Sequence, residues 1–267
     1  ITIVSGVTVN TWDAGLLPPG ASGFDTVAIG NTAWWDVDGN GARNGPEPKV
    51  EGMTVELLTN DMATVLLTTT TNAFGTYKFI VVEGEYYVKF TAPPGSVFTT
   101  QGPTGGSDEG DSDVDPATGV TDLVVIGAGI DRGWDVGVMA PGAYPGAAST
   151  VGDRVWVDTY ANGVKNADAV DPGLVDVTVE MWSSDQGLLL RTDVTSAAGV
   201  YKIKVAPGDY YLKVLPPLGY GFTTQNVGDN DARDSDFDPT TGWSDPITLP
   251  PGVIDKIWDA GLIPIPG

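Results

Sequence analysis

An internal repeat of about 123 residues constrains the fold of this chain more than any other feature. The first copies of the repeated motifs are WWD at 34–36, GTYKF at 75–79, EYYVK at 85–89, FTTQ at 98–101, DSDVDPATG at 111–119 and WDVG at 134–137. Their counterparts, in the same order, are WVD at 156–158, GVYKI at 199–203, DYYLK at 209–213, FTTQ at 222–225, DSDFDPTTG at 234–242 and WDAG at 258–261. Since a repeat of this length is the size of a domain, the sequence predicts two modules of one fold.

We place module 1 at residues 26–140 and module 2 at residues 150–264, joined by a linker at 141–149. The prolines and small residues of the linker are typical of a short, semi-rigid spacer. Residues 1–20 align with 123–142 and with 247–267, so they match only the last two strands of a module. Two interpretations follow. The chain is a segment of a longer tandem array, or it forms a head-to-tail filament in which a neighbouring subunit completes the module by strand addition.

The hydrophobic pattern predicts short β-strands separated by turns. TVELLT at 54–59 and EYYVKFT at 85–91 alternate apolar with polar residues, as strands buried on one face do, and the chain carries 36 glycines and 20 prolines. In module 1 we predict strands at 29–35, 53–59, 65–70, 76–80, 84–91, 121–125 and 130–138. The predicted fold class is all-β, with tandem antiparallel β-sandwich modules of immunoglobulin-like or prealbumin-like type. The predicted core aromatics are Trp34, Tyr77, Tyr87 and Trp134, with their counterparts Trp156, Tyr201, Tyr211 and Trp258.

Composition excludes several classes of function. The chain has no histidine and no cysteine, which removes disulfides, thiol nucleophiles and the usual ligands of zinc, iron and copper. Its formal charge of −22 disfavours nucleic acid and anionic membranes as partners. The sequence contains no apolar run of about 18 residues, so we predict no membrane span.

Residues 36–47, DVDGNGARNGPE, match the calcium-loop pattern D-x-[DN]-x-[DN]-G-x5-E at every position. Asp36, Asp38 and Asn40 stand at loop positions 1, 3 and 5, the backbone carbonyl of Ala42 at position 7, and Glu47 at position 12. Calcium prefers six to eight oxygen ligands, and this spacing wraps such ligands around one point. Because strand patterns flank the loop, we predict a calcium loop between strands. The alternative is an acidic turn that binds no ion.

A second acidic cluster lies late in each module. Its members are Asp108, Asp111, Asp113 and Asp115 in module 1, and Asp231, Asp234, Asp236 and Asp238 in module 2, where Asp229 is an additional carboxylate. Carboxylates this close repel one another unless a cation neutralises them, so we predict a second ion site in each module. The alternative is a solvated acidic loop.

In their order and spacing, the motifs G-x-x-x-W-x-D-x-x-x-N-G, G-x-Y-x-x, Y-Y-x-K, D-S-D-x-D-P-x-T-G and W-D-x-G resemble one known family. They are similar to the SdrD B-like repeat modules of staphylococcal serine-aspartate repeat surface adhesins, within the wider Cna-B-like group of prealbumin-type sandwiches. The resemblance covers both modules. It implies a calcium-dependent sandwich that serves as a rigid stalk in proteins at the cell surface.

The resemblance also extends the predicted ligand set. Module 2 matches the family's calcium loop at Asp158, Asn162 and Gly163, with Val164 as the counterpart of Ala42, but Tyr160 stands where Asp38 stood. Asp171 replaces Glu47 after a two-residue insertion, so a weaker site is expected in module 2. The family's terminal D-x-G further implies that Asp135 and Asp259 approach the ions of the second cluster.

These observations favour a non-enzymatic, calcium-stabilised structural repeat of an extracellular surface protein, either an adhesin stalk or a filament. The alternative is a carbohydrate- or ligand-binding module in which Trp35, Trp182 and Trp243 are exposed stacking platforms. An enzyme is disfavoured, because the acidic residues occupy consecutive loop positions suited to one metal and lack a predicted cleft. Head-to-tail self-association is the partner that the sequence indicates, and it identifies no host ligand.

Overall fold

The computed structural model describes residues 21–102 and 110–265, and the side chains of 21–26 are outside that description. The strands of module 1 are β1 (Ala21–Trp35), β2 (Thr54–Thr59), β3 (Val65–Thr70), β4 (Thr76–Thr91), β5 (Val97–Phe98), β6 (Val124–Ile126), β7 (Ile130–Asp131) and β8 (Val136–Met139). Those of module 2 are β9 (Ser149–Val151), β10 (Val155–Val157), β11 (Thr178–Ser183), β12 (Leu189–Val194), β13 (Ile203–Val205), β14 (Gly208–Leu215), β15 (Tyr220–Phe222), β16 (Ile247–Leu249), β17 (Ile254–Asp255) and β18 (Ala260–Pro264). The all-β prediction is therefore confirmed. Within the described ranges, no helix has the length and apolar character that a membrane span needs.

Two long strands organise module 1. The strand order is β3-β2-β4-β1-β8-β5, with β6 on β4 and β7 on β1. The first part of β1 pairs with β4 in antiparallel fashion, whereas its last three residues, Ala33–Trp35, pair in parallel with β8. The first and last strands of the module thus lie side by side, and β1 ends at the position where the acidic loop begins.

Module 2 repeats this arrangement with shorter strands. Its sheets have the orders β12-β11-β14-β16, β13-β9-β17 and β10-β18-β15, each with a counterpart in module 1. The β4 equivalent is interrupted between β13 and β14, where Pro207 replaces Glu83. Proline has no N–H to donate to a ladder, so the strand breaks there.

The core of each module contains one central tryptophan. Trp34 and Trp156 are fully buried, and the hydroxyl of Tyr77 donates to the Trp134 carbonyl at 2.8 Å, as that of Tyr201 does to Trp258 at 2.7 Å. These placements agree with the predicted packing.

The prediction that Tyr87 and Tyr211 are core residues is wrong. Their neighbours Tyr86 and Tyr210 are each 1% exposed, whereas Tyr87 and Tyr211 lie partly exposed on the other sheet face. Side chains alternate along a strand, so only one tyrosine of each pair faces the core. The buried tyrosines donate to the carbonyls of Val82 and Ala206, at 2.9 and 2.8 Å.

The strand predictions were accurate to within a few residues, with four exceptions. Strand β1 begins at Ala21, eight residues before its predicted start at 29. The strands predicted at 76–80 and 84–91 form the single strand β4, and the one predicted at 130–138 is divided into β7 and β8. Strand β5 was missed, because two residues are too few to show alternation. The predicted partial module at 1–20 lies outside the described residues.

The two modules contact one another beside the acidic loop of module 1. The Ala206 N–H donates to the Val37 carbonyl at 2.7 Å, and the Asp209 N–H donates to the Gly142 carbonyl at 3.1 Å. In the linker, the Tyr144 N–H donates to the Pro207 carbonyl at 3.0 Å. The turn before β14 thereby packs against the loop at residues 36–47.

Candidate metal centre

The loop at residues 36–47, named loop 1 below, brings three carboxylates together. One oxygen each from Asp36, Asp38 and Glu47 lies within 4.8 Å of the others. These residues are only 1%, 5% and 6% exposed. Strand β1 places Asp36 at its end, and Gly41, with a φ of 78°, turns the chain back. Among the residues that the structure describes, no other set of three acidic, histidine or cysteine side chains meets in this way.

Backbone amides hold two of the three carboxylates in place. The Gly39 and Gly41 N–H groups donate to the two oxygens of Asp36, each at 2.8 Å. Glu47 accepts from the Val37 N–H at 3.1 Å and the Asn44 N–H at 2.9 Å. Asp38 differs, because its Oδ1 is buried and has no hydrogen-bond partner among the described residues. A buried acceptor without a donor is costly, so this oxygen is suited to a cation.

The cluster disfavours a third negative charge. Burial raises the pKa of Glu47 to about 7, and the nearby charge of Asp36 contributes in the same direction. The Glu47 carboxylate is therefore fully ionised near neutral pH only if a positive charge offsets its surroundings. Three buried oxygens in one place, with no nitrogen or sulfur ligand, fit a hard cation.

Asn40 and Ala42, predicted as ligands, shape the loop in this structure. The Asn40 Oδ1 accepts the Ala42 N–H at 2.7 Å, and the Ala42 carbonyl accepts from the Asn44 side chain at 3.2 Å. Module 2 repeats both contacts, since Asn162 accepts the Val164 N–H at 3.0 Å and the Val164 carbonyl accepts from Asn166 at 3.2 Å. The role of these groups as ligands stays a prediction.

The second acidic segment is hydrogen-bonded directly to loop 1. The Ser112 N–H donates to the Gly41 carbonyl at 3.0 Å, and the Arg43 N–H to the Gly110 carbonyl at 2.6 Å. Module 2 repeats the pattern, since Ser235 donates to Gly163 at 3.1 Å. The two acidic regions, separate in sequence, therefore form one surface in each module. Asp111 lies at the contact with loop 1 in module 1, and Asp108 is outside the described residues.

Asp113 and Asp135 bond to each other's backbone. The Asp135 N–H donates to the Asp113 Oδ2 at 2.6 Å, and the Asp113 N–H donates to the Asp135 carbonyl at 2.9 Å. Burial raises the pKa of Asp135 to about 6. Asp135 thus contacts the second acidic segment, and its approach to an ion there stays a prediction. Asp115 instead accepts the Ala117 N–H at 2.7 Å and closes a turn.

The corresponding loop of module 2, residues 158–171 and named loop 2 below, has a different electrostatic character. Asp158 and Asp171 are buried, but Tyr160 is 66% exposed and contributes no carboxylate. Burial alone would raise the pKa of Asp171, but hydrogen bonds from Asn166 and Thr159 outweigh it and lower the pKa. The ionised form of Asp171 is therefore stabilised by these hydrogen bonds without a metal.

The late acidic residues of module 2 fall into four environments. Asp236 and Asp259 repeat the reciprocal bonding of Asp113 and Asp135, and the pKa of each is raised to about 8, chiefly by burial. The remaining predicted ligands are Asp234, which is buried at the contact with loop 2, Asp238, which closes a turn by accepting the Thr240 N–H, and Asp229 and Asp231, which are exposed. Among the described residues, no three of these carboxylates place ligand atoms within 4.8 Å of one another, and their role as ligands stays a prediction.

Sequence reasoning missed two residues of the repeated FTTQ motif. The Thr99 hydroxyl donates to the Asp36 Oδ2 at 2.5 Å, and the Thr223 hydroxyl donates to the Asp158 Oδ2 at 2.7 Å. The identity of FTTQ in both copies was the signal that could have revealed them. Packing of a surface strand does not require the same four residues in both copies. Orientation of a buried carboxylate by a hydroxyl does require the same threonine in both.

The predicted aromatic platforms do not have the expected exposure. Trp35 is 9% exposed and belongs to the core, so that prediction is wrong. Trp182 and Trp243 pack edge to face with ring centroids 5.6 Å apart, and the Lys213 ammonium lies 4.8 Å from the Trp243 ring centroid. These rings contact one another and a lysine, an arrangement that accounts for their partial burial.

A model of the SdrD B-like domain matches residues 27–138 and again residues 149–262. The chain belongs to the SdrD B-like domain family. Among its relatives, the serine-aspartate repeat-containing protein D of Staphylococcus aureus (strain Newman) is 29% identical over 225 residues, 84% of this chain. The serine-aspartate repeat-containing protein E of S. aureus (strain USA300) is 29% identical over 232 residues, 85% of this chain.

The SdrD B-like match covers only part of the longer relatives. The chain spans 16% of the first relative and 19% of the second. Among solved structures, GBS52, the minor pilin of Streptococcus agalactiae, aligns with 90% of this chain and 97% of its own, at 13% identity and a TM-score of 0.29. SdrD B-like domains are parts of extracellular, cell-surface proteins, in agreement with the expected localisation.

Proposed function

We propose that this chain is a structural segment of an extracellular surface protein, an adhesin stalk or filament, and that calcium bound in loop 1 stabilises module 1. The observation that carries the proposal is the buried meeting of Asp36, Asp38 and Glu47. Family membership supports the structural role, since both modules are SdrD B-like domains.

The donor set favours calcium over other metals. All three side chains offer oxygen ligands, and the chain has no histidine or cysteine, the side chains that transition metals prefer. An ion here would supply the positive charge that the Glu47 environment lacks and a partner for the Asp38 Oδ1. The protein's own contribution is to fix Asp36 and Glu47 with backbone amides before the ion arrives.

Calcium would act on stability and not on a reaction. An ion that binds only the folded state adds about 2.7 kcal/mol at a hundredfold excess over its Kd. That amount is a large share of a typical domain stability of roughly 5–15 kcal/mol. The acidic residues of both modules contact backbone amides and one another, an arrangement that serves folding.

The second part of the proposal is head-to-tail arrangement. Within the chain, the turn before β14 of module 2 packs on loop 1 of module 1 through the bond from Ala206 to Val37. Repetition of this contact along an array, or between subunits, would give a rod in which each loop lies at a junction. Such a heterologous contact propagates without closing.

The test combines calcium titration with thermal melting. Calorimetric titration of the whole chain should show a calcium site, and melting in excess calcium should occur at a temperature about 10 °C higher than in EGTA. The matched control is Asp38→Asn, which keeps the size of the side chain but removes one charge and should abolish both effects. Light scattering during the melts reports assembly. A wild-type chain that binds no calcium and melts identically in EGTA would refute the metal part of the proposal.

A further inference from the structure

Lys204 of module 2 reaches into loop 1 of module 1. Its Nζ lies 3.0 Å from the Asp38 Oδ2, and in the described ranges this is the one ion pair between the two modules. The backbone beside it is fixed as well, because the Ala206 N–H bonds to the Val37 carbonyl, and a Cβ placed on Gly39 would lie 3.1 Å from the Ala206 Cβ. Asp38 is thus at the same time a member of the carboxylate cluster and a contact of module 2.

This ion pair is not required by the fold of a module. In module 2 Lys204 pairs with Thr150 across the strands, and the equivalent residue of module 1 is Ile80, which pairs with Ala28. Ile80 is exposed and carries no charge. On the other side of the contact, Asp38 is replaced by Tyr160 in module 2. Both members of the pair therefore occur only at the junction between the modules.

We propose that Lys204 is the counter-charge of loop 1 when calcium is absent, so that calcium binding in module 1 is linked to the docking of module 2. The inference rests on the proposed cation site. The ammonium contacts the Asp38 Oδ2, and an ion in the cluster would take the unpartnered Oδ1 of the same carboxylate. Two positive charges on one carboxylate repel each other, so each weakens the binding of the other. By linkage, the two effects are equal. The free energy by which Lys204 weakens calcium binding is the free energy by which calcium weakens the contact between Lys204 and Asp38.

The structure leaves the lysine free to move. Its side chain is 56% exposed, and a gap of about 310 Å³ lies beside it, lined among others by Pro46, Leu190 and Lys202. The ammonium can leave Asp38 for solvent while the Ala206 backbone bond to Val37 remains. Calcium binding would then remove the ion pair from the junction and leave its backbone bonds, among them those from Ala206 to Val37 and from Asp209 to Gly142.

The experiment compares Lys204→Met with Lys202→Met in the full chain. Lys202 lies two residues earlier, is exposed on the same side of the strand and borders the same gap, but its hydrogen bond runs from its backbone N–H to Asp193. In calorimetric calcium titrations at low ionic strength, Lys204→Met should tighten the affinity of loop 1 about fivefold, and Lys202→Met less than twofold. In the wild-type chain, the NMR signals of the Lys204 side chain should shift on addition of calcium, while those of Lys202 stay in place.

Three outcomes separate the proposals. A wild-type chain that binds no calcium removes the cation site and with it this inference. A wild-type chain that binds calcium, with equal effects of the two lysine variants, leaves the site standing and overturns the inference. Since the NMR measurement uses the unmodified chain, an unmoved Lys204 signal in saturating calcium overturns it even if a variant folds poorly.

Discussion

Loops 1 and 2 have the same backbone design and opposite electrostatic character. In both, a glycine N–H and a threonine hydroxyl bind the first aspartate, as Gly41 and Thr99 do for Asp36. Loop 1 then adds Asp38 and a Glu47 whose pKa is raised to about 7 by burial, whereas loop 2 has an exposed Tyr160 and an Asp171 stabilised as an anion. The difference shows that the loop conformation can form without a full set of carboxylates.

Module 2 also brings basic side chains of its own to this region. The Arg154 and Lys165 side chains both bond to Asp168, at 3.0 and 2.6 Å, and the Arg233 guanidinium bonds to the Lys165 carbonyl at 2.9 Å. Loop 1 has Arg43, which lies 3.9 Å from Asp135 and is not in the carboxylate cluster. Module 2 thus supplies positive charge to its own loop 2, whereas the ammonium at the loop 1 cluster belongs to Lys204 of the neighbouring module. We expect calcium from solution to take over that role in loop 1.

The largest expected effect follows from this difference, on removal of calcium. EGTA should speed amide hydrogen exchange in loop 1 and the adjoining residues 110–113 by more than tenfold, because the folded module loses about 2.7 kcal/mol of binding free energy. The equivalent peptides of module 2 should change less than twofold. Hydrogen exchange read by mass spectrometry resolves the two modules within one chain. Equal acceleration in both modules would show that loop 2 binds calcium as tightly as loop 1. It would contradict the proposed electrostatic difference between the two loops.

Exchanging the residues at loop position 3 between the modules should weaken calcium binding in module 1 and create weak calcium binding in module 2. Asp38→Tyr should remove the calcium response of module 1, because it deletes one carboxylate of the cluster. The reciprocal change, Tyr160→Asp, should give module 2 only weak binding, with a Kd at least tenfold higher than that of loop 1, since Asp171 remains held by backbone amides.

Calorimetric titration of the two variants and of the double exchange measures this transfer. Asp38→Asn serves as the control for lost charge without added bulk. If Tyr160→Asp binds as tightly as loop 1 does in the wild type, the hydrogen bonds to Asp171 have no bearing on affinity, and the number of carboxylates alone decides.

The sequence was sufficient to predict the all-β fold, the two modules and the three residues that meet in loop 1. It sufficed because each depends on local spacing, either the period of a strand or the positions within one loop. The choice between Tyr86 and Tyr87 for the core was not predictable in the same way. Adjacent tyrosines satisfy either register, and only pairing with β2 and β6 decides which one faces inward.

Contacts between distant segments were the other part that the sequence left open. Nothing in the composition of residues 110–113 shows that they bond to Gly41 and Arg43, nor that Lys204 lies against Asp38. These contacts are set by how β1, β8 and the inter-module turn are brought together in space. The repeat offered one usable signal, because FTTQ was retained unchanged where a carboxylate needed a hydroxyl.

The smallest expected effect is a pH dependence of opposite sign in the two loops. Glu47 has a pKa of about 7 in the folded chain against an ordinary value of 4.5, so without calcium the folded state loses stability as pH rises between these values. Glu47→Gln should therefore raise the melting temperature in EGTA by roughly 5 °C near pH 7.5, have little effect near pH 4.5, and abolish the gain from calcium.

Asp171 in loop 2 has a lowered pKa, so its contribution to stability is fully present at neutral pH and is lost only as pH falls below the ordinary value of 3.8. Asp171→Asn should accordingly destabilise module 2 near pH 7.5 both with calcium and without it. If both substitutions destabilise the chain in EGTA, Glu47 is stabilised as an anion by its own loop, and the need of loop 1 for an external cation disappears.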